Sequence, residues 1–226
     1  MRPCAMTWNH AERLALADAL EYAGPGAPTL CEGWSTEHLA AHVVLRESAP
    51  LVGAGIVVPV LTERTERLTR ALGERSTAPA DYAALVERVR QGPPRWHPLS
   101  LVGDPAQLAE MFVHTEDVRR GAADGRSVPP RAHPSGLDDA LWRTLRRMRR
   151  GLYRDVPHPV VLQGGTGREL VLGRRGSNRP GGARVTVVGP VGELVLHAFG
   201  RTRVAHVEIR GTSPDVVAAF ERTHPR

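Results

Sequence analysis

Glu110 and His114 stand four residues apart, Asp117 follows three residues later, and His42 lies far upstream in an apolar stretch. Two imidazoles and a carboxylate are the ligand set of an open zinc or ferrous site. Residues four apart on a helix project from one face, one turn above the other, so Glu110 and His114 can reach a single ion. Asp117 shares their stripe.

Two readings of that stripe follow from the helical wheel. Leu108, Met111, Phe112, Thr115 and Val118 form the apolar side, and Glu110, His114 and Asp117 lie roughly opposite, which is also how a solvated face looks. His42 poses a related choice. It interrupts Leu39-Ala40-Ala41-His42-Val43-Val44-Leu45, so its ring is expected to be buried and to need a hydrogen-bond partner or a metal. A satisfied core histidine and a ligand both fit, and either needs a second polar group to meet it.

The elements that must bring these residues together are helices. The pattern predicts a first helix over 7–22, with Leu14, Leu16, Ala17 and Leu20 on its apolar side, stopped by Gly24-Pro25-Gly26. Ser35 is the expected cap of a second helix carrying His42, with Glu37 in the first turn where the helix dipole favours an acid. Further helices are predicted over 59–73, 79–91, 105–121 and 136–152, with Pro93-Pro94 and Pro129-Pro130 punctuating the connections.

After Tyr153 the period changes from helical to alternating. Val160–Leu162, Glu169–Leu172, Arg184–Val188 and Val204–Ile209 read as short strands, with glycine turns at Gly164-Gly165 and Gly181-Gly182. Helices are expected from Val191 to Phe199 and from Ser213 to Arg222, the latter with Ser213 as cap and Pro214 in the first turn. The fold class is therefore α+β, divided into a helical domain over 1–154 and a small α/β domain over 155–226. No glycine cluster follows a strand and opens a helix in the Gly-x-Gly-x-x-Gly manner, so no dinucleotide site is expected.

Composition narrows the class further. The chain has 226 residues, 41% hydrophobic and 24% charged, enough for one large or two modest domains with real cores. The apolar run from Leu51 to Leu61 is broken by glycines and a proline and is too short to span a bilayer. The first residues lack a charged-then-apolar leader pattern, and a cytoplasmic location is expected. Cys4 and Cys31 form neither a disulfide framework nor a Cys-x-x-Cys clip. Cys31 reads as a small buried residue, with a reactive role as the alternative.

The net charge is +6, yet all 30 basic residues are arginine, which fits GC-rich coding better than a nucleic-acid partner. The densest patch, from Trp142 to Arg150, reads as an amphipathic helix with Leu141, Leu145, Met148 and Leu152 facing a core.

Three blocks carry a family resemblance: Leu30 to Val43 with its Gly33-Trp34 pair and His42, Glu110 to Arg120, and Gly189 to Leu194 with Phe199-Gly200-Arg201. Together they resemble the mycothiol-dependent maleylpyruvate isomerase group, and within it a branch described as metal-binding. The resemblance implies a DinB-like up-and-down four-helix bundle followed by a sterol-carrier-like α/β domain. It implies His42, Glu110 and His114 as ligands of one divalent metal, usually zinc, with Asp117 in a supporting or pocket role.

The function it implies is activation of mycothiol, or a related small thiol, for attack on an electrophilic substrate, with isomerisation or transfer as the outcome. Arginines of such isomerases hold an anionic substrate, and Arg46 and Arg201 are the candidates here. The alternative is a non-catalytic metal-binding module or sensor that docks a protein partner; a hydrolase using zinc-bound hydroxide is also compatible. Neither a nucleic acid nor a membrane is expected as partner, and the sequence is silent on oligomeric state.

Overall fold

The computed structural model of the chain describes residues 7–48, 59–93, 105–122, 125–173 and 182–224, so Cys4, most of the apolar run 51–61, Pro94 and Gly181 lie outside the described residues. The fold is α+β, and the chain divides into two compact units, Met1–Gly125 and Arg126–Arg226.

The first unit is helical. Its described helices are α1 (Trp8–Ala23), α2 (Thr36–Ser48), α3 (Pro59–Glu74), α4 (Pro79–Gln91) and α5 (Pro105–Arg119). Thr7 caps α1 by accepting from the His10 amide, and Gly24, at φ 75°, ends it. Gly92 ends α4 in the same left-handed region, at φ 73°. Helix α1 packs on α5 and α4, and α2 packs on α3 and α4.

Leu16, Leu20, Leu39, Val43, Leu85, Val89 and Met111 close the core between these helices. The Tyr82 hydroxyl donates to the Leu20 carbonyl at 2.8 Å, and burial pushes its pKa up to about 12. A polar clip crosses the same interior. Arg13 on α1 pairs with Glu47 on α2 and donates to the Val89 carbonyl on α4 at 3.0 Å, while Gln107 on α5 donates to Glu47 at 3.1 Å. Four helices are thereby held in register by one buried cluster, in which each charge has a partner.

The second unit begins earlier than the 154/155 boundary expected from the change of period. Helix α6 (Ser135–Met148) belongs to it and packs against α7 (Val191–Ala198). Leu137, Leu141 and Leu145 are buried on α6 while Arg143, Arg146 and Arg147 are exposed, so the amphipathic reading holds for this helix. It stops at Met148 rather than at 152, and residues 149–155 are turns in which Tyr153 takes a positive φ of 52°. That conformation is uncommon for a bulky side chain. The Tyr153 hydroxyl is bonded to His197 Nδ1 at 2.7 Å, which ties the turn to α7.

Strands β1 (Val160–Gly164), β2 (Arg168–Leu172), β3 (Val185–Val188) and β4 (Glu208–Gly211) form one sheet in the order β2-β1-β3-β4. β1 pairs antiparallel with β2 and parallel with β3, and β3 pairs antiparallel with β4. β1 is buried on both faces at Val160, Val161 and Leu162, whereas the edge strand β2 and the inner strand β3 alternate. The last helix, α8 (Pro214–Thr223), packs on β4 and β3 and is capped by Ser213.

The strand expected from Val204 starts only at Glu208. The Val204 and Ala205 amides both bond back to the Arg201 carbonyl, at 3.2 and 3.1 Å, and the His206 amide is taken by the Glu193 carboxylate at 2.7 Å. With those amides spent on a turn, no ladder can form before Glu208.

Candidate metal centre

His42 lies mid-way along α2, and Glu110 and His114 lie one turn apart on α5. One ligand-capable atom from each of the three falls within 4.8 Å of the other two. Glu110 Oε1 is 3.7 Å from His42 Nε2 and 3.9 Å from His114 Nε2, so both imidazoles turn the same nitrogen toward one carboxylate oxygen. The two rings meet edge to face, 5.6 Å between centroids.

The solvated-face reading of α5 is overturned. His114 and Thr115 are buried, Glu116 and Asp117 are at or below 1% exposure, and the apolar side is buried as well, so this helix is enclosed all round. His42 departs from its expectation in the other direction. Its side chain keeps 23% exposure, which leaves the cluster an opening to solvent rather than sealing it in the core.

Around the trio the polar groups are ordered. Asp117 Oδ2 lies 2.9 Å from His114 Nδ1 and also accepts from the Cys31 thiol at 3.3 Å. Cys31, His114 and Asp117 thus form a second group of ligand-capable atoms within 4.8 Å of one another. Cys31 is half-buried rather than a small core residue.

Cys31 comes from the loop between α1 and α2, which folds on itself. The Thr29 hydroxyl donates to the Trp34 carbonyl at 2.8 Å, the Thr36 amide donates to the Ala27 carbonyl at 3.0 Å, and Pro28 bridges to Ser35. The loop is pinned to α5 by the Leu30 amide, which donates to the Asp117 carbonyl at 3.0 Å. The Ser35 hydroxyl bonds the His38 ring at 2.7 Å. Trp34 packs its ring 5.0 Å from His42 and donates from Nε1 to Glu66 on α3.

Arg46, one turn beyond His42, is in contact with Glu110 Oε1. That oxygen is buried and takes no hydrogen bond among the described residues. Burial works against ionisation of Glu110, but His42, Arg46 and His114 outweigh it and hold the carboxyl below its ordinary range. An ionised oxygen facing two imidazole nitrogens is a cation-binding arrangement.

Of the expected site residues, His42, Glu110, His114, Asp117 and Arg46 are brought together in the first unit. Arg201 belongs to the second unit, where its guanidinium donates to the Phe199 carbonyl at 2.8 Å. The sequence allowed Cys31 a reactive role through its nearness to the His42 helix but did not pair it with Asp117, and Trp34 entered only through the Gly33-Trp34 block.

No protein-family model and no curated protein sequence matches the chain. Two solved structures resemble it in backbone course. One is the crystal structure of a mycothiol-dependent maleylpyruvate isomerase, at 18% identity and TM-score 0.49, with 90% of each chain covered. The other is a histidine-to-alanine mutant of the mycothiol-dependent maleylpyruvate isomerase, at 20% identity, TM-score 0.49 and the same 90% coverage of each chain. No described helix is long and apolar enough to cross a membrane.

Proposed function

We propose that the chain binds one divalent cation through His42, Glu110 and His114, and that it is a thiol-dependent enzyme of the maleylpyruvate isomerase type. The observation that carries the metal site is the buried Glu110 Oε1, which takes no hydrogen bond among the described residues and, beside its ion pair with Arg46, faces Nε2 of both histidines at 3.7 and 3.9 Å. Two neutral nitrogens and one carboxylate suit zinc, and three protein ligands leave a coordination position open.

Bound there, the cation would supply Lewis acidity that lets a small thiol react as its thiolate near neutral pH. The chain's own residues do the rest. Asp117 orients His114, Arg46 offers a guanidinium to an anionic substrate once released from Glu110, and the half-exposed side of His42 gives small molecules access. Mycothiol as the thiol, an electrophilic substrate, isomerisation or transfer as the outcome, and a part for Arg201 rest on the sequence resemblance at the Gly33-Trp34 and Glu110–Arg120 blocks. So do the DinB-like bundle, the sterol-carrier-like second domain and a cytoplasmic setting.

A second reading is a closed, non-catalytic metal module that docks a protein partner. Cys31 and Asp117 favour it, because with His114 they form a separate group of ligand-capable atoms, with Asp117 on the Nδ1 side of the ring, where a closed site could form in place of the open one on Nε2. Cobalt substitution separates the two. In an open site, titrating mycothiol into the cobalt-loaded protein produces a sulfur-to-cobalt charge-transfer band that saturates. A closed site shows its own cysteine band before any thiol is added, loses it in Cys31→Ser, and does not respond to mycothiol.

A further inference from the structure

Several arginines of this chain meet an acid. Arg90 bonds Asp18 and Glu21, Arg119 and Arg120 share Glu116, Arg168 pairs with Asp139, and Arg210 with Glu208. The end of α6 differs in gathering five arginines at one place. Arg143, Arg146, Arg147, Arg149 and Arg150 are all exposed, and among the described residues they are the lining of a single groove of about 520 Å³. No Asp or Glu occurs between Arg143 and Tyr153, and among the described residues none of the five is in an ion pair.

This arrangement works against the helix that carries it. On α6, Arg146 and Arg147 follow Arg143 at spacings of three and four, which sets like charges side by side, and Arg149 and Arg150 extend the run into the turn that follows. Cations in a last turn are favoured by the helix dipole, which accounts for Arg146 and Arg147. It does not account for five arginines lining one groove. A local conflict of this kind is expected where a ligand resolves it.

We propose that this groove is a binding site for a small polyphosphorylated anion. Guanidinium groups are planar forks that hold phosphate oxygens bidentately, and several of them together fit several phosphates better than one. The volume lies within the roughly 300–1,000 Å³ of small-ligand sites. Its described lining is arginine alone, and arginine forks are phosphate-binding groups, so recognition falls on the phosphates. None of its residues belongs to the His42 cluster, so this site and the proposed metal chemistry stand or fall separately.

Calorimetric titration of the full chain with inorganic tripolyphosphate, orthophosphate and a random-sequence DNA duplex tests it. The expected result is saturable binding of tripolyphosphate, at least tenfold tighter than orthophosphate and weakened by salt. Arg146→Glu with Arg150→Glu should weaken it at least tenfold, whereas Arg64→Glu with Arg67→Glu, an equal charge change on the exposed side of α3, should leave it within twofold. If the first pair does not fold, Arg146→Gln with Arg150→Gln replaces it with the same expected direction. Absence of saturable binding, equal losses in the two charge-reversed variants, or binding of duplex without tripolyphosphate would each overturn the proposal.

Discussion

Asp117 Oδ2 sits 2.9 Å from His114 Nδ1, and that contact decides which nitrogen of His114 is left for the cluster. With the carboxylate accepting, Nδ1 carries the proton and Nε2 keeps its lone pair, pointed toward Glu110. Carboxylate-histidine pairs of this kind orient metal ligands and raise their basicity. Asp117→Asn should therefore weaken zinc affinity about 10- to 100-fold, read by competition with a chromophoric chelator, with the fold checked by circular dichroism. Unchanged affinity in a folded variant would reduce Asp117 to a packing role.

The clip through Arg13, Glu47 and Gln107 is predicted to hold α2 against α1 and α5. Both charged side chains are nearly enclosed, at 6% and 7% exposure, so removing one leaves the other unpaired in the interior. Glu47→Ala should cost about 3–5 kcal/mol in urea unfolding, and Arg13→Met with Glu47→Leu much less. A single-variant cost below about 1 kcal/mol would show that water reaches the pair.

Gly121 is predicted to be irreplaceable for seating the Cys31 loop. A Cβ there would collide with the Pro28 carbonyl and the Thr29 backbone, neither of which can yield as a flexible side chain does. Gly121→Ala should destabilise by roughly 1–3 kcal/mol and loosen the Leu30 amide, which bonds the Asp117 carbonyl, in hydrogen exchange. Equal protection of Leu30 in both proteins would contradict this.

His197 makes stability fall in acid. Its ring is fully enclosed, bonded through Nδ1 to Tyr153 and stacked with Phe220 and His224, and burial together with His224 lowers its pKa to about 4. The unfolded chain takes up this proton near pH 6.5 and the folded chain near 4, so the contribution is complete above 6.5 and is lost as pH falls toward 4. The full loss is roughly 3 kcal/mol. Urea unfolding of wild type across that window should show the slope, and His197→Phe with Tyr153→Phe should flatten it. A slope unchanged by the double variant would place the titration elsewhere.

Much of the fold is legible in local signals. The bounds of α1, α4 and α8 follow caps and stops that act within a few residues: Thr7 and Gly24, Pro79 and Gly92, Ser213 and Pro214. The late start of β4 was not legible, because its cause is the Glu193 carboxylate taking the His206 amide from an earlier helix. The same distinction holds at the site. The spacing of Glu110, His114 and Asp117 put them on one stripe, but a wheel cannot tell water from a facing helix, and here the stripe faces α2 and the loop before it. The contact of Cys31 with Asp117 was not legible because the two are 86 residues apart.

The central claim is that His42, Glu110 and His114 hold a cation, and elemental analysis of the purified, untagged full chain beside His42→Ala with His114→Ala addresses it most directly. The account predicts about one divalent ion, chiefly zinc, per wild-type chain, lost in the variant while circular dichroism and the melting curve show a folded protein. A folded wild type that holds no metal after reloading, or a folded variant that holds as much as wild type, would contradict it.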